Sequence, residues 1–122
     1  RLVNLFKQLG TDCVVAKDGR EALERLLELA AGDPAQAIEL VVSDIEMPRL
    51  DGYALTRAIR EAPSLRRMKV LLHSSLSGMF NEGMVKEVKA DRFVAKFHPD
   101  QLAQAVMELL PEPVAAPQAA TG

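Results

Sequence analysis

Cysteine is nearly absent from this chain of 122 residues, with Cys13 alone. One thiol cannot form an internal disulfide, and the usage fits a reducing, cytosolic setting. An excess of positive charge is lacking too. Fifteen Lys and Arg stand against seventeen Asp and Glu, for a formal net charge of −2. The electrostatic footprint of a nucleic-acid binder is therefore missing, and direct DNA binding is disfavoured. No apolar run approaches bilayer-spanning length and no signal-peptide pattern opens the chain, so membrane insertion is not expected. No internal repeat is visible. What is present is an ordinary globular balance, 48% hydrophobic and 26% charged, enough for the core of one domain. Arg1 opens the chain without a methionine and already in helical pattern, which reads as a fragment of something longer.

The hydrophobic period alternates along the chain. Leu2, Leu5, Phe6 and Leu9 recur at helical spacing before Gly10. Residues 12–16 (DCVVA) read as a short buried strand. Asp18 and Glu21 form a capping-box pattern ahead of a helical face of Leu23, Leu26, Leu27 and Ala30, which Gly32-Asp33-Pro34 ends. Residues 37–43 (AIELVVS) are nearly all apolar, as in a strand of a parallel sheet covered on both faces. A helix is predicted over 53–62, closed by Pro63, and a strand over 69–75. Residues 79–89 read as a helix interrupted by Gly83, and 91–96 as a strand. Leu102, Ala105, Val106, Leu109 and Leu110 mark a last helix beginning near Pro99. Residues 111–122 are Pro- and Ala-rich and read as a disordered tail after a domain over 1–110. Strands alternating with helices imply an open, doubly wound parallel α/β sheet with right-handed crossovers. In such sheets the site lies at the carboxyl ends of the strands.

That rule collects the unusual polar residues. Asp44 ends one strand, Ser74 and Ser75 the next, and Lys96 the one after. A carboxylate there can attack a phosphoryl group and form an acyl phosphate. The transferred group carries dispersed negative charge, so positioning and cationic support matter most. Lys96 can pair with one phosphoryl oxygen and a serine hydroxyl can donate to another. Mg²⁺ prefers oxygen ligands, and Asp44 with the Glu46 backbone carbonyl could supply two. Singly, each residue has an ordinary structural role: Asp as a turn or cap residue, serines in a loop, lysine at a solvated strand end. Their shared rim is what points to chemistry.

These stretches, VVSDIEMPRLDGYAL, KVLLHSSLSG and DRFVAKF, resemble the receiver domain of two-component response regulators over nearly the whole chain to Leu110. Among these, the sequence is most similar to the receivers of CheV-type chemotaxis coupling proteins, which carry a CheW-like domain. The resemblance implies a flavodoxin-like (CheY-like) sheet of strand order 2-1-3-4-5. It implies Asp44 as phospho-acceptor for a CheA-like histidine kinase, linked to a chemoreceptor array. It also implies Ser74 as the switch hydroxyl, Phe93 as the switch aromatic and Lys96 as the phosphate-pairing lysine. Mg²⁺ would be held by Asp44 and the Glu46 carbonyl. The domain would be a phosphoryl acceptor with at most slow self-dephosphorylation, not an enzyme.

Departures are informative. Receivers open with a central strand ending in an acidic pair that holds the metal, and this chain begins after that strand. Residues 12–16 and 37–43 would then have unpaired central edges, which is costly when buried. An omitted segment, or a strand-swapped or partner-completed sheet, is expected, with weak Mg²⁺ binding and poor phosphorylation of the chain as it stands. Phe97 replaces the proline that usually follows the lysine, so the cis peptide often found there is not expected. Lys89 stands where the family often has glycine, and a left-handed backbone there would carry strain. His73 and His98 are weak metal or acid–base candidates, and the methionines read as filler. One alternative is a phosphohydrolase of the haloacid dehalogenase type; Glu46 stands where that family wants an aspartate. Another is a docking module that ignores phosphorylation.

Overall fold

The computed structural model describes residues 18–33, 38–75 and 80–110. The expectations for residues 2–9, 12–16 and 111–122, and Cys13 with them, lie outside the described residues. Four helices and three strands alternate over this part: α1 (Gly19–Ala30), β1 (Leu40–Asp44), α2 (Gly52–Glu61), β2 (Lys69–Ser74), α3 (Glu82–Glu87), β3 (Arg92–Ala95) and α4 (Pro99–Leu109). The sheet order is β1-β2-β3 and both pairings are parallel. This matches the last three strands of the expected order. Among the described residues β1 pairs with β2 alone.

Local chemistry sets the element ends. Asp18 caps α1 by accepting the Glu21 N–H at 2.9 Å, half of the expected capping box. Asp51 caps α2 in the same way, through the Ala54 N–H at 2.8 Å. Ala62 turns extended ahead of Pro63, as the residue before proline prefers, and α2 stops there. Asn81 caps α3. Proline occupies the first turn of α4, where its missing N–H has no helical partner to lose.

Two apolar clusters cover the two faces of the sheet. Val70 and Leu72 of β2 join Ile45, Leu55, Ile59, Leu65 and Val85 on one side. Leu71, between them, joins Val94, Ala105 and Val106 of β3 and α4 on the other. The alternation is the period of two that a pleated strand imposes. It explains why β2 reads as a continuous apolar run: it is central and buried on both faces.

Several boundaries differ from the sequence reading. β1 starts at Leu40, three residues later than expected, and runs through Asp44, which pairs in register with His73. The acid is thus the last residue of the ladder, at the strand tip where it was expected. β3 is shorter than expected, so Lys96 lies just past it; its N–H still donates to the Ser74 carbonyl at 2.8 Å. Gly83 does not interrupt α3 but sits inside it, and α3 shrinks to Glu82–Glu87. The Asn81 cap sets the start at Glu82, and Lys89 ends the segment in the left-handed region at φ 65°. That conformation costs a non-glycine residue about 1–2 kcal/mol. Arg49 (φ 68°) and Phe97 (φ 69°) are in the same region.

Candidate functional site

Three strand ends meet on one rim. Asp44 closes β1, Ser74 closes β2, and Lys96 follows β3. The Lys96 ammonium is 2.6 Å from Asp44 Oδ2, with side-chain exposures of 31% and 27%. Asp44 Oδ1 accepts the Glu46 N–H at 3.1 Å, an Asx-type turn that fixes the carboxylate from its other side. Below, the buried Ser43 hydroxyl donates to the Asp44 carbonyl at 2.9 Å. The carboxylate is therefore held in place yet remains reachable from solvent.

The loop beyond Asp44 returns tightly. The Ile45 N–H donates to His73 O at 3.0 Å, and the Gly52 N–H to Ile45 O at 2.9 Å. A Cβ at Gly52 would lie 2.6 Å from the Asp44 carbonyl oxygen and 2.8 Å from Ile45 Cα, both backbone. Glycine there lets the first turn of α2 press directly against the acid-bearing strand. Arg49, at the loop's tip, binds Asp18 through two nitrogens at 3.0 and 3.3 Å. The Glu21 N–H, and then Arg49, hydrogen-bond the Asp18 carboxylate and hold it below the usual carboxylate range. The pair ties the cap of α1 to the loop over the rim.

Ser74 is fully buried, and its hydroxyl has no hydrogen-bond partner. Such orphans are uncommon and call for an explanation. Here the free hydroxyl sits one residue beyond the partner of Asp44, on the strand next to it. Ser75 follows it and is exposed. Phe93 lies lower on β3, in register with Leu72. Its ring packs on Phe80, centroids 4.5 Å apart and inclined by 42°. Asp44, Ser74 and Lys96 are thus gathered on the rim, whereas Phe93 reaches it only through the packing beneath.

Glu46 places its main chain beside Asp44. Together they offer Mg²⁺ a carboxylate and a carbonyl, the oxygen donors it prefers but a partial set. Among the described residues no group of three or more His, Cys, Asp or Glu is placed to hold a metal. The residues present fit the ion as two ligands completed by water or by further donors.

His73 had little weight in the sequence, being mid-strand, but it is the register partner of Asp44. Its Nε2 is buried without a partner. Burial pushes the imidazole below its ordinary value; Asp44 pulls the other way and Lys96 adds to burial. The unfolded chain therefore takes up this proton first, near pH 6.5. Stability is fully present above that pH and falls as pH drops below it. Denaturant titrations from pH 7.5 to 5 are expected to show this loss, and His73→Leu is expected to remove part of it. An unchanged pH slope in the variant would contradict this.

Known proteins share this sequence pattern and this fold. CheV1, a chemotaxis protein of Helicobacter pylori, is 27% identical over 106 residues, which are 87% of this chain and 32% of that protein. The chain thus spans about a third of that relative's length. The receiver domain of a signal transduction histidine kinase from Syntrophus aciditrophicus superposes with a TM-score of 0.71 at 34% identity, covering 89% of this chain and 78% of that one. The chemotaxis response regulator CheY4 of Vibrio cholerae shares the fold, with a TM-score of 0.75 at 22% identity and coverage of 89% and 86%. Residues 1–107 match the model of the response regulator receiver domain, and this chain belongs to that family.

Proposed function

We propose that the chain accepts a phosphoryl group on Asp44 from a CheA-like histidine kinase in a cytoplasmic, chemotaxis-type pathway linked to a chemoreceptor array. The observation that carries the reading is the 2.6 Å pair of Asp44 and Lys96, beside the orphaned hydroxyl of Ser74. An Asp44 carboxylate oxygen attacks the phosphorus of a phosphohistidine. The P–N bond breaks, its electrons stay on the imidazole, and that ring takes up a proton. An acyl phosphate is left on Asp44. Mg²⁺, held by Asp44 and the Glu46 carbonyl, would neutralise phosphoryl charge.

Lys96 then passes from the carboxylate to a phosphoryl oxygen, a charge-assisted contact. Ser74 has a donor to spare and a reason to turn toward the new group. Its neighbour two residues back, Leu72, is in register with Phe93, so a shift at the end of β2 is felt by the Phe93–Phe80 pair. This is a local charge biasing a two-state element. Among the described residues no helix is long and apolar enough to cross a membrane.

Acetyl phosphate with Mg²⁺ tests the reading. Labelling, slow in the chain as it stands, is expected to add the mass of one phosphoryl group to a fraction of the protein, and Asp44→Asn to lose at least about 100-fold in labelling rate because an amide is no nucleophile at this step. Equal labelling of the variant would end the proposal.

A further inference from the structure

His73 is a polar residue on an apolar face. Its register partners are Asp44 on β1 and Val94 on β3. Residues of a strand alternate between faces, so His73 shares its face with Leu71, and Asp44 shares its face with Val42. Leu71 belongs to the cluster of Val94, Ala105 and Val106, and Val42 packs against it. Leucine or valine would fill the place of His73 without leaving a polar atom unmet. The imidazole instead buries Nε2 with no hydrogen-bond partner. Such an atom costs stability and calls for a reason.

The ion pair of the rim supplies one. β1 and β3 are not neighbours, because β2 runs between them. At ordinary strand spacing their backbones are about 10 Å apart. Yet Lys96, two residues beyond Val94, reaches Asp44 Oδ2 at 2.6 Å. The lysine stem therefore crosses β2, and His73 is the β2 residue in register with both Asp44 and Val94. Both charges of the pair act on the imidazole, and burial holds it below its ordinary pKa. The ring is thus neutral, with one nitrogen free to accept a hydrogen bond. The ammonium has three donors, and Asp44 Oδ2 takes one of them.

We infer that His73 is a positioning residue for Lys96: when the ammonium passes from Asp44 to the phosphoryl group, Nε2 accepts one of its other N–H groups and steadies the cation over the transfer. The inference rests on Asp44 being the phosphoryl acceptor. In the resting protein Nε2 has no partner, so the contact belongs to the transfer step. An interaction made only there raises the rate of that step. The ring meets neither the phosphoryl group nor its donor, and works through Lys96 alone.

The test measures initial labelling rates of the protein at full length with acetyl phosphate and Mg²⁺. His73→Phe keeps a ring and removes both nitrogens. His73→Leu does the same with a side chain this face already packs, and His73→Gln keeps a polar atom near the reach of Nε2. Thermal midpoints check that each variant is folded. His73→Phe and His73→Leu are expected to label at least about tenfold more slowly, the loss of one hydrogen bond to a charged group. His73→Gln is expected to recover most of the rate. In a Lys96→Met background either apolar substitution is expected to change the rate by less than about twofold, because the group that His73 positions is gone. Unmodified rates in the folded apolar variants would overturn the inference while leaving the acceptor reading intact. So would the same tenfold loss in both backgrounds, which would make His73 a support of the strand itself, or a Gln variant as slow as the Leu variant. If the unmodified protein takes no label, the acceptor reading fails, and the inference with it.

Discussion

Lys96→Met is expected to slow labelling by acetyl phosphate about 100-fold while leaving the chain folded. The two halves of that statement come from different magnitudes. In the resting protein the Asp44–Lys96 pair is about a third exposed on each side. An ion pair that wet contributes at most about 1 kcal/mol to stability. During transfer the same ammonium faces a phosphoryl group that carries more charge than the carboxylate did. Removing one preorganised charge-stabilising group from such a step typically costs 10²–10³-fold in rate. Function should therefore fall far more than stability. Methionine keeps most of the length of the stem without the charge. A variant that labels at the unmodified rate would show Lys96 to be a structural counter-ion only. A variant that unfolds would show that the pair matters to the fold more than its exposure allows.

Arg60→Ala is expected to cost about 3 kcal/mol of stability and to lower the thermal midpoint by roughly 10 °C. Arg60 lies in the last turn of α2 and reaches across the end of the sheet opposite the rim. Its guanidinium donates to the carbonyls of Lys89 at 2.8 and 2.9 Å, Met68 at 2.6 Å and Arg66 at 3.2 Å. It also meets Asp91 Oδ2 at 2.9 Å, an oxygen that accepts the Val70 N–H at 2.7 Å. The side chain is only 17% exposed. Deleting it strands several carbonyls and half of a well-shielded ion pair, and unmade bonds to charged groups are expensive. It also frees Lys89 from its left-handed turn. Arg60→Lys should recover little, because an ammonium lacks the planar fork these acceptors match. Acetyl phosphate labelling at a temperature where the variant is folded should be close to normal, since the rim lies at the other end of the strands. A loss under 1 kcal/mol would mean that water replaces the guanidinium without penalty.

These two arginine and lysine cases show what the sequence could reveal. Lys96 was legible because a charged residue after an apolar strand is conspicuous once the topology sends every strand end to one rim. Asp44 and Ser74 were legible for the same reason, and the Asp18 cap through its spacing to Glu21. Arg60 was not, because an arginine in the last turn of an amphipathic helix looks like solvated surface. Only the approach of Lys89, Met68 and Asp91, 8 to 31 residues away, reveals its role. His73 carries little weight in the sequence because the register that sets it beside Asp44 depends on how β1 and β2 align, which periodicity does not specify. The ends of β1 shifted for a related reason. Ile38 and Glu39 fit a strand by composition, yet the ladder begins only where β2 has residues to offer, at Leu40 opposite Lys69. The short α3 was overestimated because the Asn81 cap competes with continuing a helix backward through it.

The central claim is that the phosphoryl group goes to Asp44. Reductive trapping tests it most directly: label the protein with acetyl phosphate, reduce with borohydride, digest, and sequence the peptides. An acyl phosphate on Asp44 is reduced to homoserine, so that residue should appear at position 44, in proportion to the label and nowhere else. Label that survives reduction on Ser74, Ser75 or His73, with Asp44 unaltered, would contradict the account.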